Sequence, residues 1–371
     1  MTSRERAEIV LNHQEADKPL VDFGGTVVSS ITATAYKDLR ASLNLPAHDA
    51  PITDYMMGVV TPARDIQDVF GTDFIRIAPR WSANVDKARR WTDEWGIRRV
   101  RVEGQDYYDV IEHPLKDADI DDVINYAWPD PDRIMGYSEL YEDARRAYET
   151  TDKCIVADLV APGFFGSGLR MFGYERFMMD LVSGEEIVNI FLERLAAHHE
   201  AIYAKYMDIV GKFVQVVTFN DDYGMQDRMM ISPELFQKYF KPAIARIVSS
   251  VKSGSNAKMF FHSCGAVSPI IDSLLDIGID ILNPIQTLAW GMDPLALKAK
   301  YHGKLVLWGG IDEQGMLLAN EPDEICYKVP TLVKAMSKGG GYVAAPSHNF
   351  QTDIPVENIK ALYKSVKEAF V

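Results

Sequence analysis

The sequence lacks most of the features that mark secreted and membrane-bound proteins. Cysteine is rare, with three in 371 residues, so a framework of disulfide bonds is not expected. No run of about 18 apolar residues exists that would span a membrane. The first 20 residues carry charges throughout and contain no apolar stretch of signal-peptide length. Together these absences predict a cytoplasmic protein that has no membrane partner.

Positive charge is also in short supply. The chain has 39 lysine and arginine residues against 53 aspartate and glutamate residues, a formal net charge of −14. An acidic field repels nucleic acid and anionic lipid surfaces, and no basic stripe interleaved with aromatic residues offsets it. Phosphate loops of the G-x-G-x-x-G or P-loop type are absent as well. We therefore expect a small-molecule partner and no nucleic acid.

Eight short apolar runs, alternating with helical patterns, organise the chain. Each run is continuous, which is typical of parallel strands covered on both faces. The runs are Leu20–Gly24, Phe74–Ala78, Ile155–Val160, Val214–Phe219, Met259–His262, Ile281–Pro284, Leu305–Gly309 and Tyr342–Ala345. Helices are predicted over Glu186–Val210, Pro233–Val251, Pro269–Asp276, Asp323–Ser337 and Val356–Phe370. This alternation predicts an α/β fold, a (β/α)8 TIM barrel, as one domain over residues 1–371.

Residues 81–114 interrupt this rhythm. The mixture of hydrophobic and charged residues there predicts a β-hairpin inserted after the second strand. Within it, the basic run Arg98-Arg99-Val100-Arg101 is interpreted as a strand whose charges face solvent.

Polar residues gather just past the C-terminal ends of the predicted strands. In α/β barrels these ends form the site, whereas the barrel interior is packing. The sequence therefore predicts a site at this mouth of the barrel. The residues expected to contact a substrate there are Gly25, Thr26, Asp158, Asn283, Gln286 and His348.

The segment His262-Ser263-Cys264-Gly265 is the sharpest chemical signal in the sequence. Side chains at i and i+2 of a strand point to the same face, so His262 and Cys264 could share one metal ion. An imidazole with a thiolate suits zinc, and a catalytic zinc takes three protein ligands and keeps one open position. A buried free cysteine beside a hydrogen-bonded histidine is the alternative interpretation.

A third zinc ligand has to come from another strand. His348 follows the eighth predicted strand and is the best candidate, with a simple loop hydrogen bond as the alternative. Asp221 and Asp222 end the fourth strand, and at most one should aim into the site because adjacent residues point in opposite directions. We predict Asp222 and His262 as catalytic residues, with Asp222 as metal ligand, general acid or substrate anchor. The alternative for this aspartate pair is a cap on the following turn.

Six segments in a fixed order resemble the uroporphyrinogen decarboxylase superfamily. They read SRERAEIVLNHQEADKPLVDFGG, TDEWGI, FNDDYGMQDRMMISPELFQKYFKP, FFHSCGAV, GGID and GGGYVAAPSHNFQTDIPVENI. The resemblance is greatest to the branch of corrinoid-dependent methyltransferases that includes methylcobalamin:coenzyme M methyltransferases. It implies a (β/α)8 barrel, in agreement with the number of predicted strands.

The resemblance also implies a zinc site, which in this branch is an H-x-C pair followed by a distant cysteine. His262 and Cys264 match the pair, but the third position falls in AAPSHNF, where this chain has Ser347 and His348 and no cysteine. A His/Cys/His set would be less anionic than His/Cys/Cys and would leave zinc a stronger Lewis acid.

The first loop argues against uroporphyrinogen as the substrate. True uroporphyrinogen decarboxylases hold a tetrapyrrole with many carboxylates through an arginine-rich loop near the first strand. Here that loop reads GGTVVSSITATAY and contains no arginine or lysine before Lys37. Arg170 and Arg228, which follow the third and fourth strands, leave at most one or two cations for the mouth. We therefore predict a substrate that is neutral or carries one or two negative charges.

These features predict a methyltransferase that moves a methyl group between a small methylated substrate, or a methyl acceptor, and a cobamide on a separate corrinoid protein. Asp222 would position or protonate the leaving atom. Two alternatives stay open: a metal-independent lyase or decarboxylase acting on a small carboxylic acid, and a non-catalytic barrel that binds a corrinoid or tetrapyrrole. A homodimer is also an open alternative.

Overall fold

Eight parallel strands form one sheet in the computed structural model, which describes residues 1–79, 90–104, 107–134, 136–158 and 160–370. The strands are β1 (Leu20–Val21), β2 (Phe74–Ile77), β3 (Cys154–Ala157), β4 (Val216–Asn220), β5 (Lys258–His262), β6 (Ile281–Asn283), β7 (Val306–Trp308) and β8 (Tyr342–Ala344). Neighbours in sequence are neighbours in the sheet from β2 to β8, and β8 pairs with β1. Between β1 and β2, the Asp73 N–H donates to the Val21 carbonyl at 2.8 Å. The sheet is thus a nearly closed barrel, and the predicted fold is confirmed.

Helices surround the strands, and all five predicted helices are present: Glu186–Val210 has the predicted bounds, and the others differ at their ends or are divided by a turn. The α-helices are α1 (Ser3–Leu11), α2 (Ala33–Ser42), α3 (Arg64–Phe70), α4 (Ile120–Ile124), α5 (Pro131–Ile134), α6 (Tyr137–Thr150), α7 (Phe164–Phe172), α8 (Tyr174–Ser183), α9 (Glu186–Val210), α10 (Pro233–Leu235), α11 (Lys241–Gly254), α12 (Ile271–Asp276), α13 (Pro294–Tyr301), α14 (Pro322–Ser337) and α15 (Val356–Glu368). A π-helical turn, Phe236–Phe240, joins α10 to α11, and another spans Glu313–Leu317. Ser232 caps α10 through its hydroxyl, as its position before Pro233 suggests.

Alternate strand residues point into the barrel and form layers there. The buried apolar layers include Phe74, Val216, Phe260 and Val306, and helix α1 packs against the same cluster. Two residues further along the strands the inward positions become polar, at Arg76, Thr218, His262 and Asn283. The polar, inward-facing side chains therefore form the last layer of the barrel interior, at the C-terminal ends of the strands.

Two small antiparallel sheets lie outside the barrel. One consists of Ile31–Thr32, Val59–Val60 and Ile52–Asp54, and the other of Arg90–Thr92, Arg98–Arg101 and Tyr108–Glu112. The second sheet falls in the segment predicted as an inserted hairpin. Because residues 81–89 lie outside the described residues, the hairpin insertion over 81–114 stays a prediction.

The interpretation of the basic run as a solvent-facing strand is wrong for Arg99. Its side chain is 5% exposed and pairs with Asp93 at 3.0 Å, whereas the Arg98 side chain is 39% exposed and pairs with Glu112. Asp93 lies in the turn between two antiparallel strands, and that turn brings it back to Arg99. A single charge run cannot reveal such a partner. Among the described residues, no helix has the length and apolar character needed to cross a membrane.

Candidate functional site

Two adjacent strands bring Asp222, His262 and Cys264 together at the mouth. The register of β4 with β5 places Asn220 opposite His262, so the chain two residues further on places Asp222 beside Cys264. The Cys264 N–H donates to Asp222 Oδ1 at 2.8 Å. Cys264 Sγ is 3.5 Å from His262 Nε2, which is 3.6 Å from Asp222 Oδ1. One ligand atom from each residue lies within 4.8 Å of the other two, a spacing that suits one metal ion.

Asn283 fixes the orientation of the His262 ring. It lies opposite His262 in the register of β5 with β6, and its Oδ1 is 2.6 Å from His262 Nδ1. The Asn283 Nδ2 donates to the carbonyl of Trp308 at 3.1 Å, so Oδ1 is the oxygen left to accept. This network assigns the ring proton to Nδ1 and leaves the lone pair of Nε2 facing Cys264 and Asp222. The predicted substrate residue Asn283 is therefore placed to support the histidine.

Asp221 and Asp222 point in opposite directions, as the sequence predicts. Asp222 is 54% exposed at the mouth, whereas Asp221 is buried and accepts hydrogen bonds from Phe165 N, Gly166 N and the Tyr223 hydroxyl. Burial raises the pKa of Asp221 to about 6. Asp221 thus caps helix α7, and Asp222 is free to serve the site.

A tight turn after Cys264 holds the thiol in place. Gly265 has φ +81°, and a Cβ there would lie 2.5 Å from the backbone of Gly224, so only glycine fits. The Gly265 N–H donates to Gln286 Oε1 at 2.8 Å, which places the predicted substrate residue Gln286 at the rim. Burial, together with the charge of Asp222, raises the pKa of the Cys264 thiol well above its usual value. Without a bound cation the thiol is therefore neutral.

His348 is not part of this group. Its Nδ1 is 3.3 Å from the carbonyl oxygen of Asn349, and burial lowers its pKa, with a smaller contribution from His262. The third residue of the closely spaced group, beside His262 and Cys264, is Asp222. A metal or substrate role for His348 therefore stays a prediction.

The predicted substrate residues Gly25 and Thr26 are held in a buried turn after β1. The Gly25 N–H donates to Asp22 Oδ1 at 2.8 Å, and the Thr26 hydroxyl is 2.7 Å from that of Ser29. Ser29 in turn donates to Asp22 Oδ2, which also accepts from the Trp308 indole. A Cβ on Gly25 would lie 2.4 Å from that of Phe74, so this glycine serves close packing.

Asp158 is fully buried and bonded within the protein. Its Oδ2 accepts from Arg76 Nε and from the Val27 N–H, each at 2.6 Å, and its Oδ1 accepts from the Thr218 hydroxyl. A buried ion pair of this kind orders the top of the barrel rather than offering a free carboxylate. Contact between Asp158 and a substrate stays a prediction.

Sequence reasoning missed Asp22, Arg76 and Glu313. Burial raises the pKa of Asp22 to about 7 and that of Glu313 to about 8. Glu313 Oε1 is buried without a hydrogen-bond partner among the described residues. The signal for Asp22 and Arg76 is their spacing, two residues after the inward Leu20 and Phe74. Glu313 begins the π-helical turn that follows β7, for which strand periodicity carries no information.

Comparison with known proteins agrees with this architecture. Residues 106–369 match the uroporphyrinogen decarboxylase (URO-D) family, so the chain belongs to that family. A methyltransferase from Methanosarcina mazei has a similar fold, with a TM-score of 0.70, 19% identity and full coverage of both chains.

Two curated relatives are similar over shorter stretches. Methylcobamide:CoM methyltransferase MtaA from Methanosarcina barkeri (strain Fusaro / DSM 804) is 26% identical over 185 residues, 49% of this chain and 50% of the relative. Uroporphyrinogen decarboxylase from Christiangramia forsetii is 29% identical over 164 residues, 36% of this chain and 47% of the relative. The chain thus spans about half the length of the curated relatives it matches.

Proposed function

We propose that this protein is an enzyme that transfers a methyl group between a small substrate and the cobalt of a cobamide carried by a separate corrinoid protein. The observation that carries the proposal is the group of Asp222, His262 and Cys264 at the mouth of a URO-D family barrel. The similarity to MtaA, a methylcobamide:CoM methyltransferase, supports the same reaction class. We retain one domain over residues 1–371 as part of the proposal.

The donor set fits zinc. A neutral imidazole nitrogen, a sulfur and a carboxylate oxygen are all zinc ligands, and three protein ligands leave the open position that a catalytic site needs. Asn283 holds the second nitrogen of His262, the outer-shell support that such histidines usually have. In place of the family's second cysteine, we assign Asp222 as the third ligand. Bound zinc would supply a Lewis acid at the substrate's oxygen, nitrogen or sulfur atom and would hold Cys264 as thiolate.

The residues of the chain have distinct tasks in this reaction. His262 and Cys264 are buried or half-buried and fixed by β5, so they set the position of the reacting atom. When the substrate donates its methyl group to cobalt(I), the bonding electron pair stays on the substrate atom, which then takes up a proton. In the opposite direction cobalt keeps the electron pair and the acceptor atom gives up its proton. Asp222 is the most exposed of the three ligands, so we assign it the exchange of this proton with solvent.

The rim of the mouth suits a large apolar partner. Met225, Leu288 and Trp290 are exposed by 51%, 54% and 64%. The backbone N–H of Trp290 donates to the backbone carbonyl of Gln226. Gln226 also accepts from Gln286, which binds the turn after Cys264. The exposed apolar side chains therefore border the candidate metal centre. In our proposal this rim receives the corrinoid protein.

The test is a methyl-transfer assay with the zinc-loaded protein. The reaction is monitored by the absorbance change that accompanies loss of the methyl group from methylcobalamin. The acceptors are coenzyme M and 4-hydroxybenzoate, and the reverse reaction is tried with 4-methoxybenzoate and cob(I)alamin. We expect turnover in at least one direction that is abolished in Cys264→Ser. Cys326→Ser is the matched control, because Cys326 lies on α14, and it should retain full activity.

Two outcomes would contradict the proposal. Turnover that is equal in Cys264→Ser and the wild type would remove the metal centre from the reaction. Release of carbon dioxide from small carboxylic acids without added zinc, in the absence of methyl transfer, would favour the lyase alternative.

A further inference from the structure

The Arg170 guanidinium lies at the mouth end of helix α7. This helix begins at Phe164, shortly after β3, so its first turn is level with the strand ends. Side chains on a helix point back toward its N-terminus. Arg170 does so: its Nη2 lies 3.0 Å from the position that a Cβ on Gly166 would occupy. The absence of a side chain at Gly166 therefore leaves the space that the guanidinium fills.

The neighbouring carboxylates are already engaged with other donors. Asp221 accepts from two backbone N–H groups and a tyrosine hydroxyl, and Asp54 accepts from the backbone N–H groups of Met56 and Met57. Asp93 accepts from Trp95 N and Ile97 N and from Arg99. Within the described ranges, the guanidinium of Arg170 has no hydrogen-bond acceptor or ion pair, although Asp221, Asp54 and Asp93 all act on it electrostatically.

A second guanidinium, that of Arg99, acts electrostatically on Arg170. Arg99 is 4% exposed and uses Nε and Nη2 on Asp93, while its Nη1 is buried and lacks an acceptor among the described residues. Burial, and next the charge of Arg99, lowers the pKa of Arg170. Two like charges in a poorly solvated place repel each other, and an anion between them or beside them relieves that cost.

We infer that Arg170, supported by the charge of Arg99, binds a carboxylate group of the substrate beside the candidate metal centre. The geometric link to that centre is Gly166, because the position of a Cβ there lies 3.0 Å from Arg170 Nη2 and the Gly166 N–H donates to Asp221 Oδ1 at 2.9 Å. Asp221 is the chain neighbour of Asp222 at the end of β4. The inference rests on the proposed function, and it names the substrate class: a methylated monocarboxylate. The three nearby aspartates offset much of the cationic charge, so the site suits one carboxylate and not a polyanion.

Calorimetric binding to the zinc-loaded protein tests this inference without requiring turnover. The probes are 4-methoxybenzoate and its uncharged analogue 4-methoxybenzamide. We expect the acid to bind at least tenfold tighter than the amide. Arg170→Met should weaken binding of the acid by about tenfold to a hundredfold and leave the amide unchanged, because charge-assisted hydrogen bonds are lost. Arg170→Lys should give an intermediate affinity, since lysine keeps the charge without the fork of donors.

Arg228→Met is the matched control, because Arg228 is 73% exposed and pairs with Asp227. It should bind both probes as the wild type does, and circular dichroism should show that every variant is folded. Equal affinity for acid and amide in the wild type, failure of the acid to bind, or equal losses in Arg170→Met and Arg228→Met would each overturn the inference. Tight binding of the acid without any methyl transfer would contradict the proposed function alone. Methyl transfer with no preference for the acid would contradict this inference alone.

Discussion

Replacing Asn283 with alanine removes the hydrogen bond that orients the His262 ring. In the structure, Asn283 Oδ1 accepts from His262 Nδ1 at 2.6 Å, and in the neutral ring this bond leaves Nε2 as the lone-pair nitrogen on the side of Cys264 and Asp222. Without it the ring is free to rotate or to change tautomer. Loss of an outer-shell partner of a metal-binding histidine reduces affinity about tenfold to a hundredfold, or about 1.4–2.7 kcal/mol. We expect a loss in that range for zinc.

Competition with a chromogenic chelator measures zinc affinity directly. Three variants are compared with the wild type: Asn283→Ala, Asn283→Asp and Asn358→Ala. Asn283→Asp keeps an acceptor for Nδ1 and should retain most of the affinity, although it loses the donor to the Trp308 carbonyl. Asn358→Ala is the control for removing a buried asparagine elsewhere, since Asn358 bonds the carbonyls of Leu317 and Asn320 from α15. It should bind zinc as the wild type does. Wild-type affinity in Asn283→Ala would refute the reasoning, as would an equal loss in Asn358→Ala.

Three further results are expected. Cys264→Ser should stay folded and lose bound zinc, measured by atomic emission, and stoichiometric zinc in a His262→Ala/Cys264→Ala protein would exclude this site. Asp22 has a pKa raised to about 7, so the wild type's free energy of unfolding should fall as the pH rises from about 4 to about 7, by at most about 4 kcal/mol. Denaturant titrations of Asp22→Asn should show that this part of the pH dependence is gone, and a pH dependence as steep as that of the wild type would contradict the assignment. Uroporphyrinogen should neither bind at micromolar concentration nor lose carbon dioxide, and calorimetric binding with decarboxylation would restore the decarboxylase alternative.

Strand periodicity made part of the site predictable. A repeat of two places His262 and Cys264 on one face of the chain after β5, and it separates Asp221 from Asp222. The structure agrees on both points, with Asp221 capping α7 and Asp222 at the mouth. These predictions needed only local geometry.

Periodicity was less informative where a partner lies far away in sequence. The contact of Asn283 with a substrate stays a prediction, and sequence periodicity did not foresee that its side chain supports His262, because the register of β5 with β6 places the two residues opposite each other. Arg99 was expected in solvent, yet it is buried on Asp93. In both cases the deciding contact crosses between strands, and composition along one strand does not specify it.

The sequence by itself predicted the architecture: eight continuous apolar runs separated by helical patterns are typical of the parallel strands of a barrel, with polar residues at the strand ends. It also determined the His262 and Cys264 pair. Only the tertiary structure decided that Asp222, rather than His348, lies within ligand distance of that pair. The physical reason is strand register. A shift between β4 and β5 would separate Asp222 from Cys264, and register depends on packing over the whole barrel rather than on any one segment.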